Sequence, residues 1–355
     1  LVGSEMCIRA SPGEDLDTLT EFTYSRALLA GEYLRHQKDY ETYLKELSKA
    51  IDRTHGDYSQ FWHDRNYVQF ADRVKATVVF THGSQDWNVK PINVYQMFRA
   101  LPKSLEKHLF FHNGAHVYMN AWQSFDFRES MNALICQKLL DLDNGYTLPT
   151  VIWQNNQSEQ TWEVLDNFGH DNGKNIQLGE TEASIANHYE EEIFAKYGKA
   201  YQSFKDDLFM DKANAITLDF ELDQDIQING RVHLELRVKS STNRGLISAQ
   251  VLEMGDKKYL APIPELKRMN VDNGRLFKEE ALRELPFKQA KYRVITKGHL
   301  NLQNRKDLLS IENVTPNEWM TIGLDLQPTI YKLNKGDKLR LVLYTTDFEH
   351  TIRDN

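Results

Sequence analysis

The chain has 355 residues, of which 41% are hydrophobic and 26% are charged, and its formal net charge is −8. This length suggests two or three domains, and the apolar content is that of an ordinary soluble protein with a sizeable core. The acidic balance argues against nucleic-acid binding, which needs a basic face, and no apolar run approaches the roughly 18 residues of a membrane span.

The cysteine content indicates the compartment. The two cysteines, Cys7 and Cys136, exclude a disulfide framework and fit a reducing environment, so we expect a cytoplasmic location. No signal peptide is recognisable, and the first residue is Leu1 rather than an initiator Met. We therefore expect the natural N-terminus to lie elsewhere.

Helical periodicity dominates the first part of the chain. The stretch 12–34 is typical of a helix, with Pro12 near its start and acidic residues in its first turn. In the stretch 38–54 the apolar side chains recur on one helical face, and these are Tyr40, Tyr43, Leu44, Leu47 and Ile51. We predict a helical segment over residues 1–75.

Strands and helices alternate in the next part of the chain. The run 75–83 is short, apolar and β-branched, as expected for a strand buried on both faces. A helix opened by a proline follows at 91–102, then a second buried strand at 107–114 and a closing helix at 124–142. This alternation predicts a parallel α/β sheet within residues 76–145.

The pattern after residue 145 is typical of strands. Apolar and polar residues alternate over 216–222, 226–228 and 232–238, and the Asn229-Gly230 pair predicts a hairpin with a two-residue turn. The alternation returns near the C-terminus. Strands without long helices between them predict an antiparallel β-sandwich over residues 146–355.

An aspartate and a histidine follow the two predicted parallel strands. Asp86 comes after the first strand and His116 after the second, and the functional residues of such sheets lie past the carboxyl ends of the strands. A histidine that acts as general base needs a carboxylate to fix its tautomer, and acid before histidine is the order of the α/β-hydrolase triad. The alternative is that Asp86 only forms a turn or caps the helix at Pro91.

Two segments resemble a known family. "HGSQDWNVKP" (82–91) and "GAHVYMNAWQ" (114–123) are similar to the acid and histidine segments of bacterial X-prolyl dipeptidyl aminopeptidases, which are cytoplasmic serine exopeptidases. The stretches 12–26 and 56–67 also resemble that family, and the likeness covers most of the chain. It implies the C-terminal part of an α/β-hydrolase domain with a helical insertion, followed by a jelly-roll-like β-sandwich.

The resemblance also implies an activity and the residues that perform it. The family releases Xaa-Pro dipeptides from free peptide N-termini, with Asp86 matching the triad acid and His116 the general base, and it needs no cofactor. Its nucleophilic serine lies on a Gly-x-Ser elbow upstream of the segment at 12–26. No serine of this chain has a glycine two positions before it, and Ser84 stands only two residues before Asp86. We expect the nucleophile to lie outside this chain, and the chain alone to be inactive.

Several residues near the pair are candidates for substrate binding. A proline pocket needs small apolar and aromatic groups, which Asn88, Val89, Tyr118 and Trp122 are positioned to supply. The alternative is that Tyr118 and Trp122 only pack against the following helix.

The substrate amine calls for a carboxylate. Glu14 is the candidate, with Asp15 and Asp17 as neighbours, although acids in a first helical turn also complement the helix dipole. His82 and His112 end the two strands, but their spacing matches no zinc signature, so we predict no metal site.

Other classes of function remain open. An acyl ester hydrolase of the cocaine-esterase type has the same architecture, and the β-sandwich could instead be a non-catalytic module that binds carbohydrate or a partner subunit. We expect proline-containing peptides as partners, neither nucleic acid nor a membrane, and a homodimer is compatible with the sequence.

Overall fold

A computed structural model of the chain describes residues 58–170, 173–179, 182–186, 215–272, 277–345 and 347, together with 209 and a few isolated positions between 38 and 49. The predicted helix at 12–34 and most of the predicted helix at 38–54 lie outside the described residues, as does Glu14. Within the described part of the chain, no helix is long and apolar enough to cross a membrane.

The first half of the described chain forms a four-stranded sheet in the order β1-β2-β3-β4. The first three strands are parallel, and the fourth is antiparallel to the third. The strand bounds are Val78–Gly83 (β1), Lys107–His112 (β2), Val151–Gln154 (β3) and Trp162–Leu165 (β4). The predicted parallel α/β sheet is confirmed.

Five helical segments accompany this sheet in the described part of the chain. Their bounds are Gln60–Asp64 (α1), a 3-10 helix at Tyr67–Arg73, Pro91–Ala100 (α2), a short 3-10 helix at Met119–Ala121 and Phe127–Leu140 (α3). Pro91 stands in the first turn of α2, where a missing N–H costs nothing. Asp126 caps α3, because its side chain accepts a hydrogen bond from the backbone N–H of Glu129 at 3.0 Å.

The two crossover helices cover opposite faces of the sheet. Leu109 and Phe111 pack with the core cluster that contains α2, whereas Phe110 packs with the cluster that contains α3. Side chains alternate between the two faces of a strand, so the three central residues of β2 are all apolar because both of its faces are covered. The sequence pattern of β2 follows directly from this position.

The first strand is less buried than its sequence predicts. β1 lies at the edge of the sheet, most of its residues are half-buried and Thr81 is exposed. Among the described residues only β2 pairs with β1. Both faces of β1 are nevertheless covered, because Val79 packs against the cluster that contains α3 and Phe80 packs against the cluster that contains α2.

The first sheet also extends past the boundary predicted at residue 146. β3 pairs in parallel with β2, with Leu109 opposite Val151, and β4 pairs with β3. α3 is thus the crossover of a β-α-β unit. The change in composition near residue 145 does not coincide with the end of this sheet, because β3 and β4 still belong to it.

The remaining strands form two layers. One layer is a sheet in the order β11-β8-β14-β5, and the other consists of the pairs β12-β7 and β13-β6. A cluster of buried aliphatic side chains lies between them, which makes this part of the chain a β-sandwich. A separate ribbon pairs β9 with β10. The bounds are Ile216–Glu221 (β5), Ile226–Gly230 (β6), His233–Val238 (β7), Leu246–Leu260 (β8), Glu265–Asp272 (β9), Phe277–Glu284 (β10), Phe287–Asn301 (β11), Met320–Asp325 (β12), Thr329–Leu333 (β13) and Lys338–Tyr344 (β14).

The predicted hairpin at Asn229-Gly230 is wrong. β6 pairs with β13 and β7 pairs with β12, so neither strand pairs with the other. Of the two residues only Gly230 has a positive φ, 122°, whereas a type I′ hairpin turn requires a positive φ at both. The Asn229 side chain instead accepts a hydrogen bond from the N–H of Gly169 and donates one to the carbonyl of Asn167.

Candidate active site

The aspartate and histidine that follow β1 and β2 lie side by side. The Nδ1 atom of His116 is 2.7 Å from Oδ2 of Asp86, within the range of a charge-assisted hydrogen bond. The Asp86 side chain is 6% exposed and the His116 side chain 43%. When Asp86 is ionised, Nδ1 donates to it and Nε2 is the basic nitrogen of the ring.

The other oxygen of Asp86 is held by its own loop. Oδ1 accepts hydrogen bonds from the backbone N–H groups of Asn88 at 3.1 Å and Val89 at 2.9 Å. The cap position of α2 is Lys90, without a side-chain cap, so Asp86 forms a turn but does not cap this helix. Asn88 and Val89 contact Asp86 through their backbones, which fixes the direction of its carboxylate toward His116.

The loops that carry the two residues are hydrogen-bonded to each other. The N–H of Ser84 donates to the carbonyl of His112 at 2.8 Å, and the N–H of Gln85 donates to that of Gly114 at 3.1 Å. These bonds continue the pairing of β1 with β2 beyond the strand ends. The separation of Asp86 from His116 is therefore set by the backbone of both loops.

Two more histidines end the strands beneath the pair. Burial, and to a smaller extent the neighbouring His82, lowers the pKa of His112 to about 3. Burial also lowers the pKa of His82, against the opposing charge of Asp86. Both rings are neutral near pH 7, so neither adds a positive charge that would oppose protonation of His116.

The two aromatic candidates for substrate binding lie in different surroundings. Tyr118 is 71% exposed, and its ring centroid is 5.8 Å from that of His116 in an edge-to-face arrangement. Trp122 is 3% exposed and packs against His112 and Trp162. Tyr118 therefore presents its ring beside His116, whereas Trp122 presents almost no surface, and the substrate-binding role of both stays a prediction.

Ser84 is buried next to the acid and is not positioned as a nucleophile. It is 2% exposed, and its hydroxyl has no hydrogen-bond partner among the described residues. It belongs to the same loop as Asp86, whereas a nucleophile must face the nitrogen of His116 that is turned away from the acid. The described residues also hold no group of three or more His, Cys, Asp or Glu side chains suited to a metal ion.

Buried polar residues around the loops were missed by the sequence analysis. Gln85 donates to the carbonyl of Val294 at 3.1 Å, and Arg293 donates to the carbonyl of Asn113 at 3.0 Å. The N–H of Ala115 donates to the carbonyl of Pro262 at 2.9 Å. The bonds to Arg293 and Val294 join the loops to residues of the β-sandwich 180 and 209 positions later in the chain, and no local sequence pattern signals contacts of that range.

The loop of the acid also packs against the sandwich. The Trp87 ring contacts the cluster on the outer face of the large sheet, and the Lys297 ammonium lies 4.6 Å from its centroid. Trp87, the residue after Asp86, thus packs against the β-sandwich.

Two family profiles match the chain. The profile described as the X-Pro dipeptidyl-peptidase C-terminal non-catalytic domain matches residues 144–355, and that described as X-Pro dipeptidyl-peptidase (S15 family) matches residues 5–118. The first of these covers more than half of the chain.

Curated relatives carry the same name. A Xaa-Pro dipeptidyl-peptidase of Streptococcus thermophilus is 97% identical over 344 residues, which are 97% of this chain and 46% of the relative. The enzyme of the same name from Streptococcus gordonii is 60% identical over 345 residues, with the same coverage of both chains. The chain therefore spans about half the length of the curated relatives it matches.

Solved structures share the fold at low sequence identity. An α-amino acid ester hydrolase aligns with a TM-score of 0.57 and 13% identity over 87% of this chain and 54% of that one. A CocE/NonD family hydrolase from Staphylococcus aureus aligns with a TM-score of 0.54 and 14% identity over 84% of this chain and 50% of that one. This likeness concerns the fold, which is that of an α/β domain followed by a β-sandwich.

Proposed function

The chain belongs to the X-Pro dipeptidyl-peptidase family, and on that premise we propose that it carries the acid and the base of a Ser-Asp-His triad. The observation that supports this most directly is the 2.7 Å hydrogen bond between Asp86 and His116 past the ends of two parallel strands. The whole protein would then be a serine exopeptidase that releases Xaa-Pro dipeptides from the free N-termini of peptides.

The proposed chemistry is acyl transfer. His116 takes the proton of a serine hydroxyl contributed by the rest of the protein, and the serine oxygen bonds to the carbonyl carbon of the substrate proline. The bond from this carbon to the next amide nitrogen breaks, and the nitrogen receives the proton from His116. Water then adds to the carbonyl carbon of the acyl-enzyme and gives a proton to His116. The bond from this carbon to the serine oxygen breaks, the serine oxygen receives the proton from His116, and the dipeptide leaves. Asp86 stabilises the imidazolium in both steps.

Substitution of the pair in the full-length protein tests this proposal. We expect His116→Ala to lower kcat for Gly-Pro-p-nitroanilide by about 10⁶-fold, because the base is lost, and Asp86→Asn to lower it by about 10⁴-fold, because the ring of His116 loses its orientation. The measurement is the steady-state release of p-nitroaniline by protein whose folding is verified by circular dichroism.

The chain offers a matched control for these substitutions. His233 and Asp325 form a hydrogen bond of the same length, 2.7 Å, on the surface of the sandwich. His233→Ala and Asp325→Asn should leave kcat unchanged. If His116→Ala retains the activity of these controls, the proposed role of the Asp86–His116 pair is wrong.

An ester substrate separates the peptidase from the alternative activity. The architecture is shared with ester hydrolases, so the full-length protein is assayed on Gly-Pro-p-nitroanilide and on p-nitrophenyl acetate. We expect a much higher kcat/KM for the dipeptide anilide, and the reverse order would favour an esterase. We propose a cytoplasmic location as well, which the low cysteine content supports.

A further inference from the structure

The loop that carries His116 is held from the side of the β-sandwich by a buried arginine. Arg293 lies on β11 and is 8% exposed, and one of its terminal nitrogens donates to the carbonyl of Asn113 at 3.0 Å. Asn113 is itself only 3% exposed and stands three residues before His116. A side chain of the β-sandwich, Arg293, therefore holds the backbone of the loop that carries His116.

The same residue, Asn113, is fixed from the opposite direction by the α/β sheet. Its N–H donates to the side-chain oxygen of Gln154 at 3.2 Å, and its side-chain amide donates to the Gln154 carbonyl at 2.6 Å. The Gln154 amide in turn donates to Glu284, a buried carboxylate at the end of β10. With Arg293 on the carbonyl, Asn113 is hydrogen-bonded through its N–H, its C=O and its side chain.

Because Arg293 is buried, its hydrogen bond to Asn113 opposes movement of the loop that carries His116. A guanidinium carries its charge at any physiological pH, and taking it out of water costs several kcal/mol unless acceptors replace the lost solvation. The carbonyl of Asn113 is one such acceptor, and the charge of Glu253 also favours the protonated guanidinium. Movement of the loop away from β11 would leave a buried cation without this acceptor, which opposes that movement.

From these contacts we propose that Arg293 is a positioning residue for His116, acting through the carbonyl of Asn113. The inference rests on the proposed function, since it assumes that His116 is the base. It gives a role to part of the chain that matches a profile described as non-catalytic. The β-sandwich is then a rigid support that sets the distance of His116 from Asp86 and from the substrate.

Replacement of the arginine in the full-length protein tests the inference. In Arg293→Met the charge and the donors are lost and the stem is kept, and we expect kcat for Gly-Pro-p-nitroanilide to fall by about 100-fold with little change in KM. A displacement of about 1 Å in a reacting group has an effect of that size. Arg293→Lys keeps the charge and one donor, and it should recover part of the loss. Activities are expressed per folded molecule, with the folded fraction taken from near-ultraviolet circular dichroism.

Arg305 provides the matched control. Its side chain is 13% exposed and donates to the carbonyls of Leu302 and Glu312 at 2.9 and 2.8 Å, all within the sandwich. Arg305→Met should lower thermal stability without changing kcat. Equal falls in kcat for Arg293→Met and Arg305→Met would overturn the inference, as would a kcat of Arg293→Met within about twofold of the wild type, or equal activities of Arg293→Lys and Arg293→Met.

The parallel assay of His116→Ala separates the two proposals. If His116→Ala is inactive and Arg293→Met is fully active, the inference about Arg293 fails and the triad stands. If His116→Ala is fully active, the proposed function fails, and the inference falls with it.

Discussion

His112 supports the loop of His116 from below, and its protonation state follows from its contacts. The backbone N–H of Gly114 donates to its Nδ1 at 3.1 Å, so this nitrogen carries no proton, and Nε2 donates to the carbonyl of Val117 at 3.1 Å. The ring thus bridges both ends of the segment that contains His116. Protonation of Nδ1 would break the bond to Gly114, which agrees with a pKa lowered to about 3.

This lowered pKa makes stability depend on pH in a defined direction. Between pH 6.5 and 3 the unfolded chain protonates His112 and the folded chain does not, so the free energy of unfolding falls as pH falls, by at most about 1.4 kcal/mol per pH unit. Above pH 6.5 the effect is absent. We expect the Tm of the full-length wild type to fall more steeply from pH 7 to pH 4.5 than that of His112→Gln, measured by calorimetry.

A surface histidine gives the comparison for this experiment. His170 is exposed, and His170→Gln should keep the slope of the wild type. Parallel slopes for the wild type and His112→Gln would contradict the role of His112.

Among individual residues, the sequence predicts the Asp86–His116 pair better than the residues that pack around it. Asp86 and His116 each follow a recognisable strand, and acid before histidine is the order of the α/β-hydrolase triad. The structure shows the two side chains hydrogen-bonded to each other. The burial of Trp122 and the contacts of Arg293 depend on residues far away in the chain. Neither can be inferred from the neighbouring sequence, because both are set by tertiary packing.

The end of β1 lies close against the loop that carries His116. A methyl group added at Gly83 would overlap the carbonyl oxygen of Gly114, would lie 2.5 Å from that of Ala115 and 2.8 Å from a carbon of the His112 ring. Real Cβ atoms do not tolerate such contacts with backbone, so the two loops must separate to admit even an alanine. Glycine at this position therefore permits the short distance between the loops of the acid and the base.

Substitution of this glycine should separate the pair. We expect Gly83→Ala in the full-length protein to lower kcat by about 100-fold, because the loop of His116 moves away from Asp86. Gly173 has no atom within 4 Å of the position of an added Cβ, so Gly173→Ala should retain the wild-type kcat. Both are assayed per folded molecule, and normal turnover by Gly83→Ala would show that the close approach is not needed.

The sequence predicts individual strands and helices better than it predicts which strands pair. Short apolar runs and a proline at a helix start identify β1, β2, α2 and α3, since these signals are local. The Asn229-Gly230 pair was a misleading local signal, because β6 and β7 each pair with a strand about 100 residues later. The jelly-roll-like order of the strands stays a prediction.

At the scale of the whole chain, the sequence predicts that these residues alone lack peptidase activity. The 355 residues contain no serine in a Gly-x-Ser sequence, so a protein made of these residues alone should not hydrolyse Gly-Pro-p-nitroanilide, for want of a group to form the acyl-enzyme. The measurement compares this protein with its His116→Ala variant at high enzyme concentration. Turnover that His116→Ala abolishes would reveal a nucleophile within these residues.

The long reach of the contacts to β11 has a consequence for the timing of synthesis. Residues 83–116 leave the ribosome well before their partners, since Arg293 follows Asn113 by 180 residues and Val294 follows Gln85 by 209. At bacterial elongation rates this interval is roughly 10 to 40 s. During that time the two loops lack the hydrogen bonds that join them to β11. On the proposed function, a chain that has not yet reached β11 lacks the support that Arg293 gives to the loop of His116.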